Sequence, residues 1–338
     1  MSFPLEVRPL RPDETQELLA FYRGNFPAGQ RVATLFEWRA GAPFGTNAPW
    51  GAWLEGELLG TVNAVRCPLV ADGARMEACW QQDSIVSPAA RGKGVGKALV
   101  ESAAAGYPLV MAKGTTQAMY GLRKSVGFND APNDTYLFRV LRPWNVRGSW
   151  RRRVAAPLLF LRAKALAPPA PGIAVRPTGS FGPHYDALAE QLTASPGWKV
   201  WKPAAYLSWR YLACPIRRYR ILEAHRAERT IGAAVLRLDE RMGSDAWLVD
   251  LIVDLGDRPA VLALIEAAAA EARQSGAALL RTFASSGRAR KLLAEAGFID
   301  TRDTPHFTFR PNGVAESVLP PVAEWSFWHG DGDAELYQ

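Results

Sequence analysis

The chain has 338 residues, of which 48% are hydrophobic and 22% are charged. The hydrophobic share supplies a sizeable core and excludes a disordered chain, and the length predicts about two domains. The net charge of +7 favours an anionic partner, of which nucleic acid is one. The sequence has no apolar run of 18 residues and no paired cysteines, which argues against a membrane-spanning helix and a disulfide framework and favours a cytoplasmic location.

The first half of the chain has the pattern of an α/β unit. A helix is predicted around Asp13–Tyr22, and a hairpin of alternating strands follows it. The central strand Trp80–Val86 leads into a helix, which leads into the strand Leu109–Lys113. A short helix ends at Gly127, and Tyr136–Val140 is predicted to close the unit. The strand–helix–strand order indicates a parallel pair within a mixed sheet.

The second half repeats this order. Five landmarks recur at offsets of 167 to 172 residues: Trp38 with Trp209, Gly60 with Gly232, Asp83 with Asp250, Gly127 with Gly297, and Phe138 with Phe309. This predicts a tandem duplication with a unit at 1–143, a junction at 144–172 and a second unit at 173–338, closed by a strand at Phe307–Phe309. Trp38-Arg39 and Trp209-Arg210 occur in both units, so we interpret them as packing residues.

The most informative segment is the glycine-rich basic turn at Arg91–Gly96, between the central strand and the next helix. Backbone N–H groups at such a helix start can hold a diphosphate, and glycines let the ligand come close. A Walker A loop would need glycine at Arg91 and a hydroxyl at Ala98, so that loop is excluded. A dinucleotide fingerprint would need glycine at Lys97, so it is excluded as well.

The pattern that remains is Arg-x-x-Gly-x-Gly, from Arg91 to Gly96, after Asp-x-x-Val-x-Pro, from Asp83 to Pro88. It resembles the coenzyme A loop of the GNAT superfamily of acyl-CoA N-acyltransferases. The resemblance implies two GNAT-like units, each with a mixed, centrally splayed sheet flanked by helices. It also implies that acetyl-CoA or another acyl-CoA is the co-substrate, without a metal, and that it contacts Ile85, Val86, Arg91, Gly92, Lys93, Gly94, Val95, Gly96 and Lys97.

The resemblance also suggests catalytic residues. The matching strand often carries an acidic residue that helps to deprotonate the amine, and Asp83 stands there. Asp250 occupies the same place in the second unit, so a structural role for Asp83 stays open. A tyrosine usually protonates the departing thiolate, but Arg123 stands at that position. Tyr120, one helical turn earlier, is the alternative acid, or else a half-buried packing residue.

The second unit lacks the loop. Arg258 stands where Arg91 stands, but Val261 and Ala263 replace the glycines. Asp254 and Asp257 add negative charge where a diphosphate would lie. We therefore expect one coenzyme A per chain, with the second unit as scaffold and substrate wall.

The junction is strongly basic. Residues 139–164 hold eight basic side chains and no acidic one, together with Trp144, Trp150 and the apolar run Pro157–Leu161. The favoured interpretation is a helix packed on the sheet with its arginines in water. An in-plane helix on an anionic membrane, with peripheral contact through residues 144–164, or a nucleic-acid patch fits the same pattern.

Three functions remain open. The first is an N-acyltransferase, with an N-acetyltransferase favoured, that moves an acetyl group to an amine of a small molecule or amino sugar in a ternary complex. The second is a Fem-like aminoacyl transferase that uses aminoacyl-tRNA, the one case in which nucleic acid is a partner. The third is a non-catalytic acyl-CoA-binding module. In the tail, His329, Asp331 and Asp333 could hold a metal, but docked aromatic residues are the favoured interpretation.

Overall fold

The computed structural model describes residues 5–26, 29–45, 49–147, 150–166, 172–238, 245–313, 322–332 and 334–337. In the first half, the elements are β1 (Glu6–Pro9), α1 (Thr15–Asn25), α2 (Gly29–Ala40), β2 (Trp50–Leu54), β3 (Glu57–Arg66), β4 (Leu69–Ala71), β5 (Ala74–Met76), β6 (Ala78–Val86), α3 (Val95–Ala104), β7 (Leu109–Ala112), α4 (Gln117–Ser125), β8 (Asn129–Asp130) and β9 (Tyr136–Val140).

The second half follows the same plan after the junction helix. Its elements are α5 (Trp150–Leu166), β10 (Ala174–Thr178), α6 (His184–Thr193), β11 (Lys199–Val200), α7 (Ala204–Leu207), β12 (Arg220–Arg226), β13 (Arg229–Arg237), β14 (Ala246–Val253), α8 (Arg258–Gln274), β15 (Leu279–Phe283), α9 (Gly287–Glu295), β16 (Ile299–Asp300) and β17 (Thr308–Pro311).

Two mixed seven-stranded sheets, flanked by helices, form most of the described part of the molecule, and a small antiparallel sheet of order β11-β4-β5 joins strands of both halves. The orders of the two large sheets are β1-β2-β3-β6-β7-β17-β8 and β10-β12-β13-β14-β15-β9-β16. In each large sheet one pair is parallel, β6 with β7 and β14 with β15. The predicted fold class, mixed α/β with two such units, is confirmed.

The same local signals form corresponding helices in the two units. Thr116 caps α4 by accepting from the Met119 N–H at 3.3 Å, and Ser286 caps α9 by accepting from the Ala289 N–H. Both helices are followed by a glycine with positive φ, which is 86° at Gly127. Start and stop signals at matching positions explain why the repeat could be read from the sequence.

The closing strands are exchanged between the units. β9 pairs with β15 and β16 in the second sheet, and β17 pairs with β7 and β8 in the first sheet. The prediction that each closing strand joins the sheet of its own unit is therefore wrong. The alternating pattern of a strand determines which face it buries, but it does not determine which sheet edge it joins. As a result, each sheet takes one strand from the other half of the chain.

A pseudo-symmetric contact joins the two halves. The rings of Trp38 and Trp209 stack with centroids 4.4 Å apart and planes 8° from parallel. Each indole N–H donates to the backbone carbonyl of the other tryptophan, at 3.0 Å and 2.8 Å. Both donors are satisfied and both rings are covered, so the contact relates the units as two halves of a dimer would be related. The predicted packing role of these tryptophans is confirmed.

The tail docks on the core, and its polar residues are buried with it. Trp325 and Phe327 are fully buried, as the favoured interpretation expected. His329 is also fully buried and stacks on Trp247 at 4.3 Å. Asp331 forms an ion pair with Lys202 at 2.8 Å, while Asp333 lies outside the described residues. Within the described ranges, no group of three His, Cys, Asp or Glu side chains is arranged to hold a metal.

One half-buried carboxyl at the strand exchange makes a testable prediction. Asp134 accepts hydrogen bonds from the Phe307 N–H at 2.9 Å and from the Thr304 hydroxyl. Burial raises the pKa of Asp134 to about 6. A raised folded-state pKa stabilises the native protein below the ordinary pKa, and that stability is lost as the pH rises through the folded-state value. We therefore expect this group to lower the unfolding free energy by at most about 3 kcal/mol between about pH 4 and pH 6.

Asp134→Asn removes the titration. Denaturant unfolding measures the free energy of unfolding of both proteins across this pH range. Between the two ends of the range this free energy should fall less in the variant than in the wild-type protein. An identical pH dependence of the two proteins would contradict the assignment.

Candidate acyl-CoA site

The glycine-rich turn forms the predicted strand-to-helix connection. β6 ends at Val86, a short 3₁₀ turn covers Pro88–Ala90, and α3 begins at Val95. Gly92 and Gly94 have φ values of 77° and 82°, a conformation that side chains with a β-carbon rarely adopt. The positive φ therefore explains these glycines, since a β-carbon at either position would meet nothing within 4 Å.

The turn has the chemistry of an anion cradle. The first N–H groups of α3 have no partner within the helix, and the helix dipole adds positive potential there. Arg91, Lys93 and Lys97 are exposed around the turn. The Arg91 Nε donates to the Val86 carbonyl at 3.2 Å, which holds the guanidinium stem against the end of β6. Open space, free N–H groups and three cations fit a diphosphate.

β6 leaves its parallel neighbour beside this turn. The ladder with β7 runs from Ala78 to Trp80, and beyond it β6 continues to Val86 paired with β3. The Ser87 N–H donates to Leu59 of the β3 side, and the Val86 carbonyl accepts from Arg91 on the other side. Because backbone groups alternate along a strand, the Val86 N–H faces the open edge and the Ile85 N–H faces β3. Of the two predicted backbone donors, Val86 is therefore the one directed at the gap.

Asp83 lies on the same strand, at a β-bulge. Its φ is 47°, and the register between β3 and β6 shifts at this point. Its carboxylate is fully buried and forms an ion pair with Arg39 of α2. Asn63 donates to the same oxygen at 2.8 Å, and Tyr22 is hydrogen bonded to Asn63. These contacts favour the structural interpretation of Asp83, while its catalytic role stays a prediction.

Tyr120 and Arg123 point to different surroundings. Tyr120 stacks on His306 with centroids 4.6 Å apart, and a hydrogen bond with Asp130 raises the pKa of its phenol. Arg123, one turn later on α4, is 2% exposed and donates to the Gln81 carbonyl at 3.3 Å, where β6 leaves β7. The structure thus brings Arg123, rather than Tyr120, to the gap beside β6. The role of Tyr120 as an acid stays a prediction.

The sequence pattern gives two buried residues less weight than the structure does. It indicates a packing residue at Arg39 and only a departure from the expected tyrosine at Arg123. The signal for Arg39 is that the pair Trp38-Arg39 recurs as Trp209-Arg210 in the second unit. An arginine kept in both copies indicates a defined interaction partner. For Arg123 the signal is its helical spacing, because it follows Met119 by four residues on the side of α4 that faces α3.

The corresponding turn of the second unit carries its own carboxylates. Asp257 caps α8 by accepting from the Ala260 N–H at 3.2 Å, and it pairs with Arg226. Arg258, the counterpart of Arg91, pairs with Glu295 at 2.8 Å. A side-chain carboxylate thus occupies the helix start that stays open in the first unit.

The gap between β14 and β15 is filled as well. Their parallel ladder covers only Ala246 and Trp247 of β14, after which the strands separate. The tail lies between them, with the Gly330 N–H donating to the Val249 carbonyl at 2.7 Å and the Ser285 N–H donating to the Phe327 carbonyl at 3.0 Å. The chain itself therefore takes the backbone contacts that a ligand would use in this gap.

A cavity of about 280 Å³ remains at the mouth of this second gap. Trp328, Leu251 and Trp201 contribute to an apolar lining, and Lys199 and Lys202 add charge. Burial lowers the pKa of Lys199 to about 8. The expectation that the second unit serves as a substrate wall stays a prediction.

Comparison with known proteins agrees with this geometry. Residues 13–107 match the acetyltransferase (GNAT) family model. A GCN5-related N-acetyltransferase from Anabaena variabilis is similar over 91% of this chain and 73% of its own, with a TM-score of 0.63 and 14% identity. A putative acetyltransferase from Pyrococcus horikoshii is similar over 98% of this chain and 95% of its own, with a TM-score of 0.54 and 13% identity.

A tandem GNAT protein from the clavulanic acid biosynthesis pathway shares the two-unit plan. The similarity covers 93% of this chain and all of that protein, with a TM-score of 0.51 and 15% identity. No curated protein matched the sequence. At these identities the solved structures establish the fold. The chain is therefore a two-unit protein of the GNAT fold, with a match to the acetyltransferase (GNAT) family model over residues 13–107.

Proposed function

We propose that the first unit binds acetyl-CoA or another acyl-CoA and transfers the acyl group to an amine of a small molecule. The observation that carries this proposal is the contrast between the two units. In one, no side chain of the described residues caps the helix start at the glycine turn, and β6 has no ladder with β7 beyond Trp80. In the other, Asp257 and the segment around Gly330 occupy both features.

In this proposal each group of the site has a defined task. The N–H groups at the start of α3, with Arg91, Lys93 and Lys97, hold the diphosphate. The pantetheine arm lies along the open edge of β6. The Val86 N–H donates to the thioester oxygen, which gains negative charge as the amine attacks the carbonyl carbon. A carbon–nitrogen bond forms, the carbon–sulfur bond breaks and coenzyme A leaves as a thiolate that takes up a proton from solvent, while the amine proton leaves to solvent or to a base.

Arg91→Ala tests the diphosphate contact, and Arg258→Ala is its matched control. Loss of a charged hydrogen-bond donor to phosphate is expected to weaken acetyl-CoA binding by about 10- to 100-fold. Arg258 pairs with Glu295 at an exposed position, so its loss is expected to leave the affinity within about twofold. Isothermal titration calorimetry of the two variants measures the difference. Equal effects of the two substitutions, or no binding by the wild-type protein, would contradict the proposal.

A non-catalytic acyl-CoA-binding module is the second candidate. One observation favours it. The Asp83 carboxylate, which is the expected base, already forms an ion pair with Arg39 and accepts a hydrogen bond from Asn63. Turnover of acetyl-CoA with a panel of amines separates the two functions. Binding without turnover for any amine would favour the module, and turnover would favour the enzyme.

A further inference from the structure

The junction helix α5 presents an apolar face to solvent. Its inner face is fixed on the second sheet, since Ala156 and Ala163 are each 1% exposed. Ala156 packs in a cluster with Val140, Val146 and Ala278. Ala163 packs directly on Gly297: a β-carbon added at Gly297 would lie 2.5 Å from the β-carbon of Ala163. The packing fixes which side of α5 faces outward.

The outward side carries four large apolar residues, which we call the exposed stripe. They are Trp150, Val154, Leu158 and Leu161, with exposed fractions of 68%, 66%, 72% and 60%. Their spacing of four, four and three residues aligns them along one side of a helix. Trp144, which precedes the helix, is 86% exposed. Elsewhere among the described residues, the most exposed large apolar side chains are Leu54 and Leu212, with exposed fractions of only 37% and 38%.

Basic residues border the stripe on both sides. With 100° per residue, Arg153 lies on one flank of Val154 and Arg162 on the other, and both are exposed. The sequence between Asp134 and Asp186 contains no acidic residue. An apolar strip between two cationic edges matches the boundary between acyl chains and anionic headgroups.

We propose that the exposed stripe docks the protein on an anionic lipid bilayer, with α5 lying in the plane of the interface. No helix in the described ranges is long and apolar enough to cross a membrane, so the contact is peripheral. Trp144 and Trp150 add indoles, which favour the headgroup level. Arg153 and Arg162 reach phosphate groups while their stems cover apolar surface.

The same features argue against two other occupants. Nucleic acid would pair with the arginines but would leave the leucine and valine side chains in water. A second copy packed stripe to stripe would bring the bordering arginines of both copies together, and neither α5 contributes a carboxylate to pair with them. A bilayer with anionic lipids satisfies the apolar and the cationic parts together.

Vesicle flotation with the full chain tests the proposal. We expect binding to phosphatidylcholine vesicles that contain phosphatidylserine, little binding to pure phosphatidylcholine, and weaker binding as salt rises. Leu158→Glu should reduce the partition coefficient at least about tenfold, because it places a charge in the acyl-chain region. Leu54→Glu, a partly exposed leucine of the first sheet, is the matched control and should bind like wild type. Thermal unfolding of both variants verifies that each is folded.

Three outcomes would overturn the inference. The first is absence of binding to anionic vesicles, and the second is equal loss of binding in the two variants. The third is a monomer–dimer equilibrium, by analytical ultracentrifugation without lipid, that Leu158→Glu abolishes, since it would assign the stripe to a second copy.

Discussion

Lys202→Met is expected to lower the free energy of unfolding by about 3–5 kcal/mol. The Lys202 ammonium lies 2.8 Å and 2.7 Å from the two carboxylate oxygens of Asp250, and 2.8 Å from an oxygen of Asp331. The side chains of both aspartates are fully buried, and Tyr211 donates to Asp250 at 2.6 Å. Removing the cation leaves two carboxylates in the core, where charge is poorly solvated. Denaturant unfolding measures the loss.

The pH dependence of that loss adds a second readout. Burial raises the pKa of Asp250, and the neighbouring Lys202 opposes the rise. Without Lys202 the pKa rises further, and a carboxyl with a raised pKa favours the native state at low pH. The deficit of the variant should therefore be smaller at about pH 5 than at about pH 8.

Lys199→Met is the matched control. Lys199 is half-buried and donates to the carbonyls of Ser195 and Leu192 at 2.7 Å and 3.3 Å, so no carboxylate loses its partner. Its effect should stay near about 1 kcal/mol. Comparable losses for the two lysine variants would show that the ion pairs of Lys202 with Asp250 and Asp331 are not the reason for the loss.

Asp83→Ala is the second change with a large expected effect. Arg39 is 3% exposed, and the variant removes the carboxylate with which it pairs. We expect a loss of about 3–5 kcal/mol in unfolding free energy, because breaking one side of a buried ion pair leaves a desolvated charge. Asp83 does not belong to the Arg91–Gly96 turn, so acetyl-CoA affinity should change by less than about threefold where the variant is still folded.

Asp83→Asn separates the structural role from a catalytic one. It keeps the size of the side chain and an oxygen that can accept from Arg39. If Asp83 is structural, stability drops and the turnover per folded molecule is retained. Unchanged stability with lost turnover would contradict our expectation and would identify Asp83 as the base.

The strand exchange explains why the halves are packed as one body. One core cluster contains residues of both halves of the chain, such as Trp80 and Met111 of the first with Trp247 and Phe283 of the second. A division of the chain between residues 143 and 173 would leave each sheet without one of its strands. The predicted unit boundaries describe the duplicated sequence, whereas the sheets are interleaved.

The sequence alone determined the local features. The duplicated order of strands and helices, the caps at Thr116 and Ser286, and the positive-φ glycines of the turn depend on short-range backbone preferences. Those preferences are visible as residue types at fixed spacing. The loss of glycines and the gain of Asp257 in the second turn were visible in the same way.

Only the tertiary structure decided which groups meet. The exchange of β9 and β17, the pairing of Asp83 with Arg39, the entry of Gly330 into the second gap and the outward face of α5 all join residues far apart in the chain. A strand pattern fits either sheet edge equally well, and a buried carboxylate accepts any nearby cation. The choice depends on packing summed over the whole molecule, which local sequence patterns do not record.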